Sequence, residues 1–444
     1  MLTREENELM CRVGPGSAMG DAMRRYWLPA LHSSALPHPD CDPQHVELLG
    51  EHFVAFRDSN GKVGLLDEQC CHRGASLLLG RVEECGIRCV YHGWKFAVDG
   101  TVLDTPNVPD PKFKNRIRAR AYPVREAGGL IWAYLGPAQK VPAFPEWPWT
   151  KLDAAHRINA CAVVNCNYVQ VVEGLVDSSH LNILHDYGMQ ATSASALTFA
   201  QKVGKMQIDA APRIEAEDTE FGFHYAALRR KAGEDTGTLV RIAAFVAPCF
   251  VANPNGDLAF AVVPVNDTRT NFYHIWWDAE RRIGEEPLRS QQLKFVGLDD
   301  EALDSYALST RTCDAPDRPC RENRYQQNRD AMRTGHWTGL HSFTQEDAAV
   351  AVSAGGIRDR TKEMLSIADV AIGRLYRVLL KCARQVREGR DPVGLVPPVD
   401  ISRVIGIEGT VPDGQPWQSL APGHKRIVSA DTKVVARSSD SAPV

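Results

Sequence analysis

Two stretches decide how this chain must fold: Cys70-Cys71-His72-Arg73-Gly74-Ala75 and Cys89-Val90-Tyr91-His92-Gly93-Trp94-Lys95-Phe96. Each brings a cysteine and a histidine within three positions of one another, and sixteen residues separate the two pairs, a C-x-H-x16-C-x-x-H spacing. A thiolate and an imidazole on each of two loops make a metal-ligand set. Such loops need a rigid frame, and the flanking sequence supplies one. Val46-Glu47-Leu48-Leu49, Phe53-Val54-Ala55-Phe56, Lys62-Val63-Gly64-Leu65-Leu66 and Leu130-Ile131-Trp132-Ala133-Tyr134 read as short strands, with Asn60-Gly61 and Asp99-Gly100 as turns. The region 46–140 is therefore expected to be a small all-β domain.

Structural zinc also takes two cysteines and two histidines, but it spaces paired ligands two to four residues apart, so the single residue between Cys70 and His72 fits it poorly. A Rieske [2Fe-2S] centre requires two thiolates on one iron and two imidazoles on the other. Each loop can give one of each. The chain has twelve cysteines, and Cys71 and Cys85 fall inside the region but outside the spacing. They and the remaining eight are read as packing residues.

With 444 residues, 44 % hydrophobic and 24 % charged, and a net charge of −4, the chain has the composition of a soluble protein of about two domains, with no basic stripe for nucleic acid. The longest apolar run, Ile242 to Ala252, is interrupted by Pro248 and too short to span a membrane. The N-terminus, Met1-Leu2-Thr3-Arg4-Glu5-Glu6-Asn7-Glu8, lacks the apolar core of a signal peptide, which predicts a cytoplasmic protein. The Pro-rich segment Val141 to Trp149 marks a stiff boundary. Beyond it, Phe221 to Leu228, Thr238 to Ala247, Leu258 to Pro264 and Asn271 to Asp278 alternate at period two, which predicts antiparallel strands with one buried face. Helices are expected at about 168–186 and at 367–388, the latter opened by Ser366 with Asp369 and closed at Gly389. The fold class is α+β, with the all-β domain joined to a catalytic domain (141–417) that has a central antiparallel β-sheet flanked by helices. Residues 1–45 are expected to pack on the catalytic domain, and 418–444 to form a partly flexible tail.

The helical stretch from Asn167 to His185 carries Glu173, Asp177, His180 and His185. On an ideal helix the first three share a face, whereas His185 points roughly 140° away from His180. Both imidazoles can reach one metal only if the helix breaks, and an irregularity is predicted near Leu181 to Leu184. Two histidines and a carboxylate with open positions are the ligand set of non-haem Fe(II) oxygenases, and a one-electron carrier nearby would have a natural acceptor in such an iron. Two rivals remain at this point: a carrier with only the iron–sulfur domain, and a zinc-stabilised binding module.

Taken together, Cys70–Ala75, Cys89–Phe96, Glu173–His185, Gln345-Glu346-Asp347 and Gly356-Ile357-Arg358-Asp359-Arg360-Thr361 resemble the oxygenase (alpha) subunit of Rieske non-haem iron aromatic-ring hydroxylating oxygenases, and are most similar to the phthalate dioxygenase-like group. The group commonly has proline where this chain has Cys71. The resemblance implies one Rieske [2Fe-2S] cluster held by Cys70, Cys89, His72 and His92, and one mononuclear Fe(II) held by His180, His185 and Asp347. Glu346 and Asp330 are chemically adequate carboxylates close by. Asp177 resembles the family's bridging aspartate between a neighbouring subunit's Rieske histidine and a ligand histidine of this one. O2 would be the co-substrate, NAD(P)H would act only through a separate reductase, and the assembly would be a homotrimer or a stacked pair of trimers. Gly14 to Gly20 misses the G-x-G-x-x-G spacing, so no dinucleotide site is expected in this chain.

Family substrates are typically small aromatic acids or aryl ethers, and a carboxylate in an apolar pocket calls for a bidentate cation. Arg213 and Arg241, in the strand region that should wall the cavity, are the candidates, followed by Arg229 and Arg230. The expected reaction is dihydroxylation of an aromatic carboxylate such as a phthalate-like acid, or alternatively monooxygenation with O-demethylation of an aryl ether or phenoxybenzoate-type substrate.

Overall fold

Alternation along one strand shows how the small β-region is built. In the computed structural model, which describes residues 2–186, 188, 209, 211–230, 237–396 and 398–420, the strand Glu51–Arg57 lies between Gln44–Leu48 and Val63–Asp67. Its side chains point alternately to two sides. Phe53 and Ala55 join the large core of the molecule, while Val54 and Phe56 join a separate small core with Cys70, Leu77, Cys89, Trp94 and Phe96. The expected turns form, with Gly61 and Gly100 at positive φ. A four-stranded sheet, Arg81–Glu83, Gly86–Arg88, Lys95–Phe96 and Val102–Asp104, carries the second Cys/His loop.

The N-terminal segment divides. Its helices Arg4–Cys11 and Ala18–Met23 pack on the long helix Val370–Arg387 of the catalytic region. Its strand Trp27–His32 instead pairs with Leu130–Tyr134, which in turn pairs with Val124–Ala127. The Pro-rich segment is packed rather than free: Phe144 meets Trp27 and Trp132, and Trp147 meets Phe250.

The second region is an eight-stranded antiparallel sheet. Its order is Arg157–Val164, Arg269–Trp277, Leu258–Asn266, Phe250–Asn253, Thr238–Val246, Gly222–Arg230 and Arg213–Thr219, with Ile407–Val411 added beside Thr238–Val246. The expectation of a single buried face is corrected. Gly222–Arg230, Thr238–Val246 and Leu258–Asn266 are buried almost without interruption. Helices Tyr168–Leu175 and Val370–Arg387 pack on this sheet, as do strands of the small β-region against Leu258–Asn266. A strand covered on both sides reads as a near-continuous apolar run. The long helix starts and stops as expected: Ser366 and Asp369 form a capping box around a short 3-10 turn, and Gly389 follows with φ +74°. Residues 418–420 complete a short turn that begins at the buried Trp417 rather than starting a tail. Residues 421–444 lie outside the described residues.

Candidate metal centres and the cavity between the helices and the sheet

The two Cys/His loops have the same backbone plan. Cys70 N–H donates to Ala75 O and Gly74 N–H to Cys70 O, and likewise Cys89 N–H donates to Trp94 O and Gly93 N–H to Cys89 O. The fourth residue after each cysteine must turn with positive φ, and glycine stands there both times, at +72° and +76°. A Cβ on Gly93 would lie 2.7 Å from Pro106 Cγ. Both cysteines are buried and adjacent, and burial, with the Cys89 sulfur adding to it, pushes the Cys70 thiol up to about 11. The imidazoles of His72 and His92 are 4.5 Å apart and half-exposed, and His72 stacks on Trp94 at 4.2 Å. Two neighbouring sulfurs inside and two neighbouring imidazoles outside are the donor set a Rieske cluster takes.

The helical stretch that carries the candidate ligands His180 and His185 breaks. It runs Tyr168–Leu175, is interrupted over 176–180, and resumes as Leu181–Leu184. The irregularity expected near Leu181 to Leu184 thus falls in the segment just before it. The cause is local. Asp177 Oδ1 accepts the Ser179 backbone N–H at 2.7 Å and its hydroxyl at 2.6 Å, a turn that competes with the helix. Arg229, buried beneath, donates to the Ser178 carbonyl at 2.7 Å, occupying an acceptor that helix continuation would need. Burial lowers the Arg229 guanidinium to about 10.

Because of the break, Glu173 and Asp177 do not share a function. Glu173 points into the core, where Arg360 Nε donates to it at 2.5 Å and Tyr376 OH at 2.7 Å. Asp177 turns to His180, with Oδ2 3.3 Å from Nδ1. His185 is arranged the same way: its Nδ1 is 2.7 Å from Glu346 Oε2. The Nε2 atoms then face one carboxylate, since Asp347 Oδ1 is 3.8 Å from His180 Nε2 and 3.2 Å from His185 Nε2. His180, His185 and Asp347 place one ligand atom each within 4.8 Å of one another. Histidines with Nδ1 on a carboxylate and Nε2 turned to a common point are the arrangement that metal-bound imidazoles adopt. Burial opposes charge here, yet Asp347 and Glu346 push the His185 imidazole up to about 9. Burial likewise raises the Asp177 carboxyl, but the hydrogen bond and charge of His180 and the Ser179 donors outweigh it and hold it at about 2. Such a site favours a cation at its centre. Of the other two carboxylates, Glu346 stands behind His185 and also accepts the Thr338 hydroxyl, whereas Asp330 is exposed and paired with Arg333.

A cavity opens beside these three residues, walled by apolar side chains such as Leu258, Phe260, Phe272 and Trp276, with Tyr225, Arg241, Asn253, Asn255, His274 and Thr344 among its polar groups. The two arginine expectations separate. Arg213 is corrected: its side chain is 73 % exposed, pairs with Glu215 and does not line the cavity, because it begins an edge strand on its outward side. Arg241 lines the cavity and is buried, but its guanidinium already donates to Glu408, its cross-strand neighbour, and to Asn255. Arg229 serves the helix break, as above. Arg230 ends its strand exposed.

Residues 26–123 match the Rieske [2Fe-2S] domain, and residues 133–440 match the family described as LigXa C-terminal domain like. The chain is 37 % identical to the phthalate 4,5-dioxygenase oxygenase subunit of Pseudomonas putida, over 94 % of each chain. This protein belongs to the Rieske oxygenases, in the phthalate dioxygenase-like group. The oxygenase is also 35 % identical to the 3-chlorobenzoate-3,4-dioxygenase oxygenase subunit of Comamonas testosteroni, over 90 % of this chain and 91 % of that one. In fold it is similar to NdmA of Pseudomonas putida CBB5 with caffeine, with a TM-score of 0.57 at 15 % identity, covering 90 % of this chain and 100 % of that one. Among the described residues no helix is long and apolar enough to cross a membrane.

Two further residues stand at this oxygenase's candidate site. Glu346 was only an alternative to Asp347, yet both lie on the helix Phe343–Ser353, where successive residues point about 100° apart, so the pair divides between the cavity and the back of His185. His274 was overlooked. It is the polar residue in the run Phe272 to Trp277 and shares a strand face with Phe272 and Trp276. Burial pulls its imidazole down to about 3, so it is neutral, and its Nδ1 has no hydrogen-bond partner among the described residues.

Proposed function

We propose that Cys70, Cys89, His72 and His92 hold one [2Fe-2S] cluster, that His180, His185 and Asp347 hold one mononuclear Fe(II), and that the enzyme inserts oxygen from O2 into a small aromatic acid. The observation that carries this is the convergence of His180 Nε2, His185 Nε2 and Asp347 Oδ1 at the wall of a mainly apolar cavity. When bound, the cluster supplies one-electron transfer and the iron supplies O2 activation.

The protein's own part is orientation and selection. Asp177 and Glu346 fix the two imidazoles so that each Nε2 is free for metal. The apolar walls exclude water from an aromatic ring, and Arg241, Asn255 and His274 are among the groups able to meet a carboxylate or ring substituent. The chain carries no dinucleotide motif, and two relatives are named as oxygenase subunits. Electrons are therefore proposed to come from NAD(P)H through a separate reductase, in a homotrimer or stacked pair of trimers. The proposed reaction is ring dihydroxylation.

The test is O2 uptake by the purified holoenzyme with a reductase, NADH and a panel of aromatic mono- and dicarboxylates, beside neutral esters and methyl aryl ethers. Uptake matched by a cis-dihydrodiol from an acid supports the proposal. A demethylated phenol as the sole product moves the enzyme to the alternative reading, and uptake unchanged across the panel rejects the aromatic-acid reading.

A further inference from the structure

A second group of metal-capable side chains lies on the hairpin Gln44–Leu48/Glu51–Arg57, apart from both centres above. His45 and His52 are exposed on adjacent strands, and Glu68 stands beside them, its backbone N–H bonded to the His52 carbonyl. His45 Nε2 is 3.0 Å from His52 Nδ1 and 3.6 Å from Glu68 Oε2, and one ligand atom of each residue lies within 4.8 Å of the others. Four-coordinate zinc, with bonds of about 2.0–2.2 Å, sets its ligand atoms roughly 3.3 Å apart. The observed separations bracket that value.

The frame is rigid. The imidazoles stack with centroids 5.3 Å apart and planes 25° from parallel. Glu68 keeps one oxygen toward the histidines while the other accepts the Ser76 hydroxyl at 2.5 Å, the kind of outer hydrogen bond that orients a ligating carboxylate. Glu47, directly opposite His52 in the strand register, is taken by Asn266, and Glu51 by Arg24. The two facing imidazole nitrogens need a proton between them, and a cation can take that proton's place.

We propose that His45, His52 and Glu68 form a surface site for a Zn2+-class divalent cation, separate from both iron centres, with its remaining position open to water. Two imidazoles and one carboxylate favour zinc or a neighbouring transition metal over Mg2+ or Ca2+, which prefer oxygen ligands.

The test uses chelator-washed, iron-replete holoenzyme dialysed against zinc sulfate, with zinc and iron counted per chain. The wild type should take up about one zinc with its iron unchanged. The double variant His45→Ala/His52→Ala, whose Rieske visible spectrum reports an intact fold, should bind it at least about tenfold more weakly, and Glu68→Gln should weaken it as well. Equal zinc affinity in the wild type and the double variant would overturn the proposal. So would zinc uptake that occurs only as iron is lost.

Discussion

Asp177 is a single side chain with two tasks: it breaks the helix through Ser179 and holds His180 by Nδ1. Asp177→Asn keeps an acceptor for the imidazole but removes its charge. Both metal complements should therefore remain, while single-turnover reoxidation of the reduced cluster by substrate and O2 slows about 10–100-fold. Loss of the mononuclear iron in that variant would contradict an orienting role. Arg241 calls for a paired change, because removing it alone takes the cross-strand cation away from the buried Glu408 carboxylate. In Arg241→Gln/Glu408→Gln the apparent KM for aromatic acids should rise at least about tenfold while neutral analogues change little. An equal effect on both classes would discard Arg241 as a reader of acids.

The residue types of both candidate centres stand out in the sequence because ligand chemistry restricts spacing. C-x-H and C-x-x-H leave few alternatives, and the 140° conflict between His180 and His185 required a break. Where that break falls was less legible. Asp177-Ser178-Ser179 carries a local turn signal, but Arg229, which completes the break, is fifty-one residues away from Ser178 and meets it only in the folded sheet. Arg213 and Arg241 looked equivalent as strand arginines. Only the sheet order shows that one begins an edge strand and the other sits in the interior opposite Glu408.

At the scale of elements, the helix Tyr168–Leu175 is tied to the rest of the catalytic region through Glu173. Its carboxylate meets Arg360, which is fully buried and also reaches Asn7 Oδ1 and Cys11 Sγ on the first helix. One buried ion pair thus joins three chain segments behind the candidate metal site. Arg360→Met leaves the buried Glu173 carboxylate with only the half-exposed Arg358, 3.4 Å away, as its cation, a loss of up to about 3–5 kcal/mol. Denaturant unfolding of the holoenzyme should show that drop, with much of it recovered in Glu173→Leu/Arg360→Met. A single variant within about 0.5 kcal/mol of wild type would mean that the pair does not hold the helix. The one-face expectation for the sheet failed at this same scale: Thr238–Val246 and its neighbours read as alternating, yet both of their sides are covered, and a period-two reading assumes that one side meets water.

At the scale of the whole molecule, two donor sets of different chemistry sit on two frames within one chain. The thiol–imidazole loops rest on a small β-region with its own core, and the two histidines and Asp347 rest between a broken helix and a large sheet. This division separates an oxygenase subunit from a simple electron carrier. The direct measurement is iron and acid-labile sulfide per chain in the anaerobically purified protein, beside His185→Ala. The wild type should hold about three iron and two sulfide, and the variant about two of each with an unchanged Rieske spectrum. A wild type with two iron and two sulfide, or a colourless zinc-loaded protein, would contradict the assignment of two iron centres.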